Sequence, residues 1–340
     1  MTALGGSAYW LPLIAAAVIA LAVAMYVVLD GFDLGVGILF PYFGSESERD
    51  QVMNSVAPFW DGNETWLVLG GTGLFVAFPL AYALIMPALY VPVILMLLAL
   101  VFRGVAFEFR WVAKPHHHRW DVAFAAGSTT AAFAQGLILG GLLHGIPVAG
   151  DHFAGGPFEW LTPFSLMCGA SLVIGYALLG ACWIIMKTSA AAEQRARHLA
   201  RPLLVALLAC IALVSVWTPL EFPRIAQRWF GWPNLLYLSP VPLLTAALAV
   251  SAWVGIRGRH PRPAFYSAVG VFLLAFAGLA ISTVPYLVPP SVTLWQAAAA
   301  PHSQAFILAG MALLIPVILG YTVFVYRTFR GKVRPGEGYH

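Results

Sequence analysis

Nine stretches of this chain are apolar enough, and at roughly 20 residues or more long enough, to cross a bilayer as helices. They run approximately over residues 9–40, 54–78, 80–103, 122–145, 161–187, 201–219, 237–256, 264–288 and 304–328. In hydrocarbon no water satisfies a backbone N–H or C=O, so such stretches must close their hydrogen bonds internally as helices. The predicted fold is therefore an all-α polytopic membrane protein of about nine transmembrane helices, with two four-helix bundles plus one peripheral helix as the natural packing. Composition agrees: 61% of the 340 residues are hydrophobic and 9% are charged, and the mean hydropathy is +0.84. Those values exclude an ordinary soluble domain. With only short links between the stretches, residues 1–340 are expected to form a single integral membrane domain. The first stretch begins at Tyr9 with no basic residue before it and no small-residue cleavage site, which predicts a retained helix and not a signal peptide.

The cations predict the orientation. Arg49, Arg103, Arg110, Lys114, Arg119, Lys187, Arg195, Arg197, Arg201, Arg257, Arg259, Arg262, Arg327, Arg330, Lys332 and Arg334 all fall on one side of the predicted helices. Of the 18 Lys and Arg residues, only Arg224 and Arg228 fall on the other. The positive-inside rule then puts the N-terminus outside and the C-terminus in the cytoplasm. The net charge of +4 arises from these links, so it speaks for anionic lipid and not for nucleic acid.

Against this background five ionisable residues stand out: Asp30, Asp33, Asp61, Glu64 and Arg103. They sit in VVLDGFDLGVG, PFWDGNETWLV and ALVFRGVAFEFR, within the first three predicted spans. A charge at bilayer centre costs about 3 kcal/mol on insertion scales, so such residues are functional candidates. The two acid pairs are each three residues apart, a spacing that puts a pair on roughly one helix face. Asp61 is expected on the order of 10 Å above the cytoplasmic end of its helix, at ~1.5 Å per residue. Arg103 is expected to close the third helix on the same side. Asp30 or Asp33 could pair with Arg103 simply to lock two helices together. Four acids facing one cation leave at least one that is protonated, hydrated or working, which suits a proton relay open to the cytoplasm. Gly31 and Gly35 form a GxxxG pair, and Gly70, Gly71 and Gly73 cluster in the second stretch, predicting close helix contacts.

Redox ligands are not evident. His116, His117, His118, His198, His260 and His340 fall in cytoplasmic links or at the end, and His144, His152 and His302 at the outer helix ends. No histidine sits mid-span, so no complete haem site is expected in this chain. His116–His118 reads more readily as a solvated loop than as a metal patch. Cys168, Cys182 and Cys210 fall in predicted spans without a CxxC, which predicts buried thiols and no disulfide frame.

The motifs YVVLDGFDLGVGILF, MNSVAPFWDGNETWLVLGG, FVAFPLAYA and FRGVAFEFR, followed by WLTPFSLMCG, PPSVTLWQAAAAPHSQ and PVILGYTVFVYRTFRGK, span nearly the whole chain. In them the chain resembles subunit II of the cytochrome bd-type quinol oxidases. The loop TPLEFPRIAQRWF is similar to the cyanide-insensitive branch. The resemblance implies a complex of the bacterial inner (cytoplasmic) membrane that oxidises quinol, reduces dioxygen to water and takes its protons from the cytoplasm. It implies a haem-bearing subunit I as partner, holding haem b and haem d or a b-type substitute, and a haem-free companion role for this chain. A small single-helix subunit and a structural quinone occur in some members, and membrane lipid surrounds the whole. The family assigns a proton path to the acid of WDGN, here Asp61. Glu64 would extend it, and Asp30, Asp33 and Arg103 would form a supporting charge network. Gln296 departs from the family, whose members often carry an acid after the tryptophan. Two other functions remain open on the residues alone. A purely structural assembly scaffold would need no proton-carrying acid. A proton-coupled secondary transporter would show broken helices in two inverted halves, whereas the charged motifs here all fall in the first three spans.

Overall fold

The structure is a computed structural model that describes residues 6–113, 117–258, 260–334 and 336, without the side chain of Ser7. Lys114, His116, Arg259 and His340, named above, lie outside the described residues. Helix α1 (Gly6–Leu39) ends in a short 3₁₀ turn, Phe40–Tyr42, and is followed by α2 (Glu46–Asn54), α3 (Trp60–Ala77), α4 (Pro79–Val112) and α5 (His118–His144). A hairpin of β1 (Val148–Ala149) and β2 (His152–Phe153) leads to α6 (Pro163–Lys187). Then come α7 (Ala190–Glu221), α8 (Pro223–Phe230), α9 (Asn234–Leu238), α10 (Pro240–Arg257) and α11 (Arg262–Thr283). A second hairpin of β3 (Tyr286–Val288) and β4 (Val292–Thr293), the single turn α12 (Leu294–Ala297) and α13 (Pro301–Thr328) complete the chain.

Helices α1, α3, α4 and α5 pack as one ring of neighbours and α6, α7, α10 and α11 as another, while α13 lies across α1 and α3. The rings join where α6 meets α1 and α5. At that seam Gly35 and Gly180 face each other across α1 and α6. A β-carbon on Gly35 would run into the carbonyl oxygen of Tyr176 and lie 2.7 Å from the Gly180 nitrogen. Without side chains here, the two backbones come into direct contact. Aromatic rings fill the space beside the seam, with Phe32 of α1 stacked on Trp183 of α6 at 4.1 Å.

Among the described residues eight helices are long and apolar enough to cross a membrane. The ninth expected span is α3, an 18-residue helix made less apolar by Asp61, Asn63 and Glu64 in its first turns. Its start differs from expectation. Residues 55–59 form a turn, because Pro58 lacks the N–H that a helix continuing from residue 54 would need. Residues 46–54 instead form α2, started by a capping box in which Ser45 and Glu48 exchange hydrogen bonds of 3.2 Å. Helix α4 runs nine residues past Arg103 and bends at Leu89. Pro92 and Pro87 flank that bend, and proline removes helical hydrogen bonds. Helix α7 begins eleven residues earlier than the sixth predicted stretch, carried by an Ala-rich turn with an i,i+4 pair, Glu193–Arg197 at 2.9 Å.

Candidate functional site

The candidate site lies where α1, α3 and α4 meet, toward the end of the bundle that carries the basic links. Asp30 and Asp33, one helical turn apart on α1, are both fully buried. Arg103 of α4, also fully buried, places Nη1 2.5 Å from Oδ1 of Asp30. Its Nη2 is 3.2 Å from Oε2 of Glu64 on α3. One guanidinium therefore ties three helices together, with its carbon 6.0 Å from the centre of the Trp60 ring. Asp33 takes a different partner: Nδ2 of Asn63 donates to its Oδ2 at 2.7 Å. Among the described residues, four buried polar atoms in this cluster have no hydrogen-bond partner: Asp30 Oδ2, Asp33 Oδ1, Arg103 Nε and Arg103 Nη2, the last held to Glu64 by its charge alone.

A second polar thread leads away from Asp30 into the bundle. Tyr26 lies one turn before Asp30 on α1, and its hydroxyl accepts from Gln135 Nε2 of α5 at 2.8 Å. The Tyr176 hydroxyl of α6 donates to Oε1 of the same glutamine at 2.8 Å. The seam between the two rings is thus polar beside the acids and otherwise aromatic.

Two sequence expectations need correction. Asp61 does not lie deep along its helix. Because α3 starts at Trp60, Asp61 occupies the first turn and is exposed. The two acid pairs are also split. Glu64 turns to Arg103 while Asp61 faces outward, and Asp30 and Asp33 take separate partners on α4 and α3. The group facing Arg103 directly is Asp30 and Glu64, not four acids.

Sequence reasoning missed a neighbouring ion network at the basic end. Arg110, two turns after Arg103 on the same face of α4, is buried. It binds Asp121 at 2.7 Å and Asp50 at 2.6 Å, and Arg49 reaches the other oxygen of Asp121 at 3.1 Å. The signal was present as the seven-residue spacing of the two arginines in FRGVAFEFR, which repeats a helix face. The partners, 60 and 11 residues away, carried none. Removing one member of a buried pair costs about 3–5 kcal/mol. Asp121→Asn is therefore expected to lower the thermal midpoint of the purified protein by several degrees. An unchanged midpoint would remove this network from the account of stability.

Among the described residues no group of three or more His, Cys, Asp or Glu is placed to hold a metal ion. His144 meets Glu221 at 3.6 Å, at the end opposite the acid cluster. Met96 and Met311 pack in apolar clusters.

Comparison with known proteins agrees with this architecture. A family model described as cytochrome bd terminal oxidase subunit II matches residues 11–329. The chain is 30% identical over 355 residues to cytochrome bd-I ubiquinol oxidase subunit 2 of Escherichia coli K12, covering 91% of each. It is 29% identical over 325 residues to cytochrome bd ubiquinol oxidase subunit 2 of Bacillus subtilis 168, covering 91% of this chain and 93% of that one. A solved structure of bd oxidase from Geobacillus thermodenitrificans shares the fold, with a TM-score of 0.76 at 20% identity over 94% of this chain and 98% of the other. A family match across residues 11–329, on a bundle of this architecture, makes this chain a member of the cytochrome bd terminal oxidase subunit II family.

Proposed function

We propose that this chain is the haem-free companion of a haem-bearing subunit I in a quinol-oxidising, oxygen-reducing complex, and that its acid cluster forms part of the proton-uptake route. Membership of the family makes it one subunit of a membrane-embedded oxidoreductase that contains haem and a partner subunit I. Haem b with haem d, or a b-type substitute, is assigned here to that partner. The described residues of this chain do not fit a haem of their own, since no histidine lies mid-span. Quinol as electron donor, surrounding membrane lipid and a small single-helix subunit complete the expected assembly. A structural quinone in this chain remains part of the same family expectation. The chain is read as one integral membrane unit with the basic end in the cytoplasm, as the positive-inside rule supports.

The observation that carries the proton reading is the set of carboxylates around Arg103. Buried charges are costly, and a scaffold could replace an ion pair by apolar packing at little loss. Here Asp30 and Glu64 share one guanidinium, Asp33 lies one turn along without a cation, and among the described residues one oxygen each of Asp30 and Asp33 has no hydrogen-bond partner. Glu64 links this interior to the surface, being one-quarter exposed and within electrostatic reach of Asp61. Asp61 lies on a stripe of α3 with Thr65, Val68, Thr72 and Phe75, all exposed. Farther along the same helix, at Leu69 and Thr72, an apolar groove of about 460 Å³ runs between α3 and α13. The route proposed is entry at Asp61, passage to Glu64 and exchange with Asp33 and Asp30, with Arg103 holding the acids in place.

Asp61→Asn keeps shape and hydrogen bonding but cannot carry a proton. The variant complex is expected to assemble with full haem content and to consume oxygen from quinol about a hundredfold more slowly, at the low end of what a lost proton-transfer group costs. Undiminished turnover would leave the scaffold reading in its place.

A further inference from the structure

Asp33 is the buried acid without a cation of its own, because Arg103 is engaged by Asp30 and Glu64. Among the described residues its hydrogen-bond partner is the side-chain amide of Asn63, whose Nδ2 also reaches the Leu29 carbonyl at 3.3 Å. The other end of that amide is held as well: the Tyr326 hydroxyl of α13 donates to Asn63 Oδ1 at 3.1 Å. With donor and acceptor ends both used, the amide has one favourable orientation. Rotated by half a turn, it would set its oxygen against the carboxyl of Asp33. The Tyr326 ring is itself fixed between Phe59 at 4.5 Å and Trp183 at 6.1 Å.

The end of α13 is tied down separately. Lys187 of α6 donates to the Phe329 carbonyl at 2.6 Å. The strap beyond α13 is bonded on both sides of Val333, whose N–H meets the Lys187 carbonyl at 2.7 Å and whose carbonyl accepts from Gln51 at 2.6 Å. Each of these bonds limits how far Tyr326 can move relative to Asp33.

We infer that Asn63 and Tyr326 are positioning residues that hold the Asp33 carboxyl in the geometry for proton exchange, so that the last helix sets the acid cluster. The inference rests on the proton-route reading. A carboxamide donates at one end and accepts at the other without itself changing protonation, so it orients the acid and does not relay. The charged groups acting on Asp33 are Asp30 on its own helix, Arg103 on α4 and Glu64 on α3. From α13 the facing titratable group is Tyr326. Helices α5 and α6 bring Gln135 and Tyr176 to Tyr26, and α11 faces α1 through Phe265.

The test uses the complex co-purified with subunit I, in which Tyr326→Phe, Asn63→Ala, the double variant and Asp33→Asn are compared. Tyr326→Phe keeps the ring and its packing. It is expected to slow quinol-driven oxygen consumption about fivefold, the factor one buried hydrogen bond is worth, and to displace the pH profile of turnover at unchanged haem content. The double variant should be no slower than Asn63→Ala alone, since both act along one chain of bonds. In an Asp33→Asn background Tyr326→Phe should change nothing further. A slow Asp33→Asn with a silent Tyr326→Phe overturns the positioning role and leaves the proton route standing. A fully active Asp33→Asn removes Asp33 from the route and this inference with it. Loss of haem with an unmoved pH profile would reduce Tyr326 to packing and also overturn it.

Discussion

Replacing Arg103 by leucine is expected to leave little assembled complex. The side chain is fully buried and is the ionic partner of Asp30 and Glu64, on two other helices. Leucine fills part of the space but leaves those carboxyls without a counter-charge. Breaking one buried pair costs about 3–5 kcal/mol, and here two pairs end together. A native protein holds only about 5–15 kcal/mol in total. The readout is haem recovered with the co-purified subunits. Adding Asp30→Asn to Arg103→Leu should restore part of the yield, because it removes the most buried orphaned charge. A fully assembled, active Arg103→Leu complex would refute the role of this arginine as the tie among α1, α3 and α4.

Gly35→Ala is expected to be nearly as damaging, although it changes no charge. The added methyl would meet the Tyr176 carbonyl oxygen and the Gly180 nitrogen, which are backbone atoms and cannot rotate away. Overpacking a tight core typically costs about 1–3 kcal/mol, and backbone-on-backbone contact belongs at or above the top of that range. The joined rings would have to separate along the line that carries Tyr26 and Asp30, so activity should fall with stability. Gly320→Ala on α13 is the control, since nothing lies within 4 Å of its added carbon. A large fall in the thermal midpoint for Gly35→Ala beside an unchanged Gly320→Ala supports the seam. Equal midpoints would contradict it.

Much of the architecture was legible because hydrocarbon leaves a chain few choices. Apolar length alone located the helices, and Gly31 and Gly35 marked the face of α1 that meets Tyr176 and α6. Where the reading slipped, the cause was local. Hydropathy averages over a window and does not see Pro58, so the start of α3 was set too early and Asp61 too deep. Arg103 looked terminal because the charged run that follows it is polar, yet Phe107 and Arg110 bury against the bundle and carry α4 onward. The acids themselves were readable as intramembrane charges. Their pairing was not, because three-residue spacing leaves side chains about 60° apart around the helix axis, near enough to share a face and far enough to meet different neighbours. Which of Asp30 and Asp33 met Arg103 depended on the distant placement of α4. Asn63 and Tyr326 are 263 residues apart, and no local pattern joins an amide in one motif to a phenol in another.

The strap around Val333 has a consequence for how the protein is made. Helix α13 is synthesised after the eight other long helices, yet it supplies the hydroxyl that completes the Asp33–Asn63 contact. The strap then pins that helix to α6 and α2. Until the ribosome has released this segment, the acid cluster lacks its final bond, whatever the earlier helices have done. A nascent chain stalled before α13 would carry the Asn63 amide one partner short beside the buried Asp33 carboxyl. The fold thereby makes the geometry of its polar centre conditional on the arrival of α13.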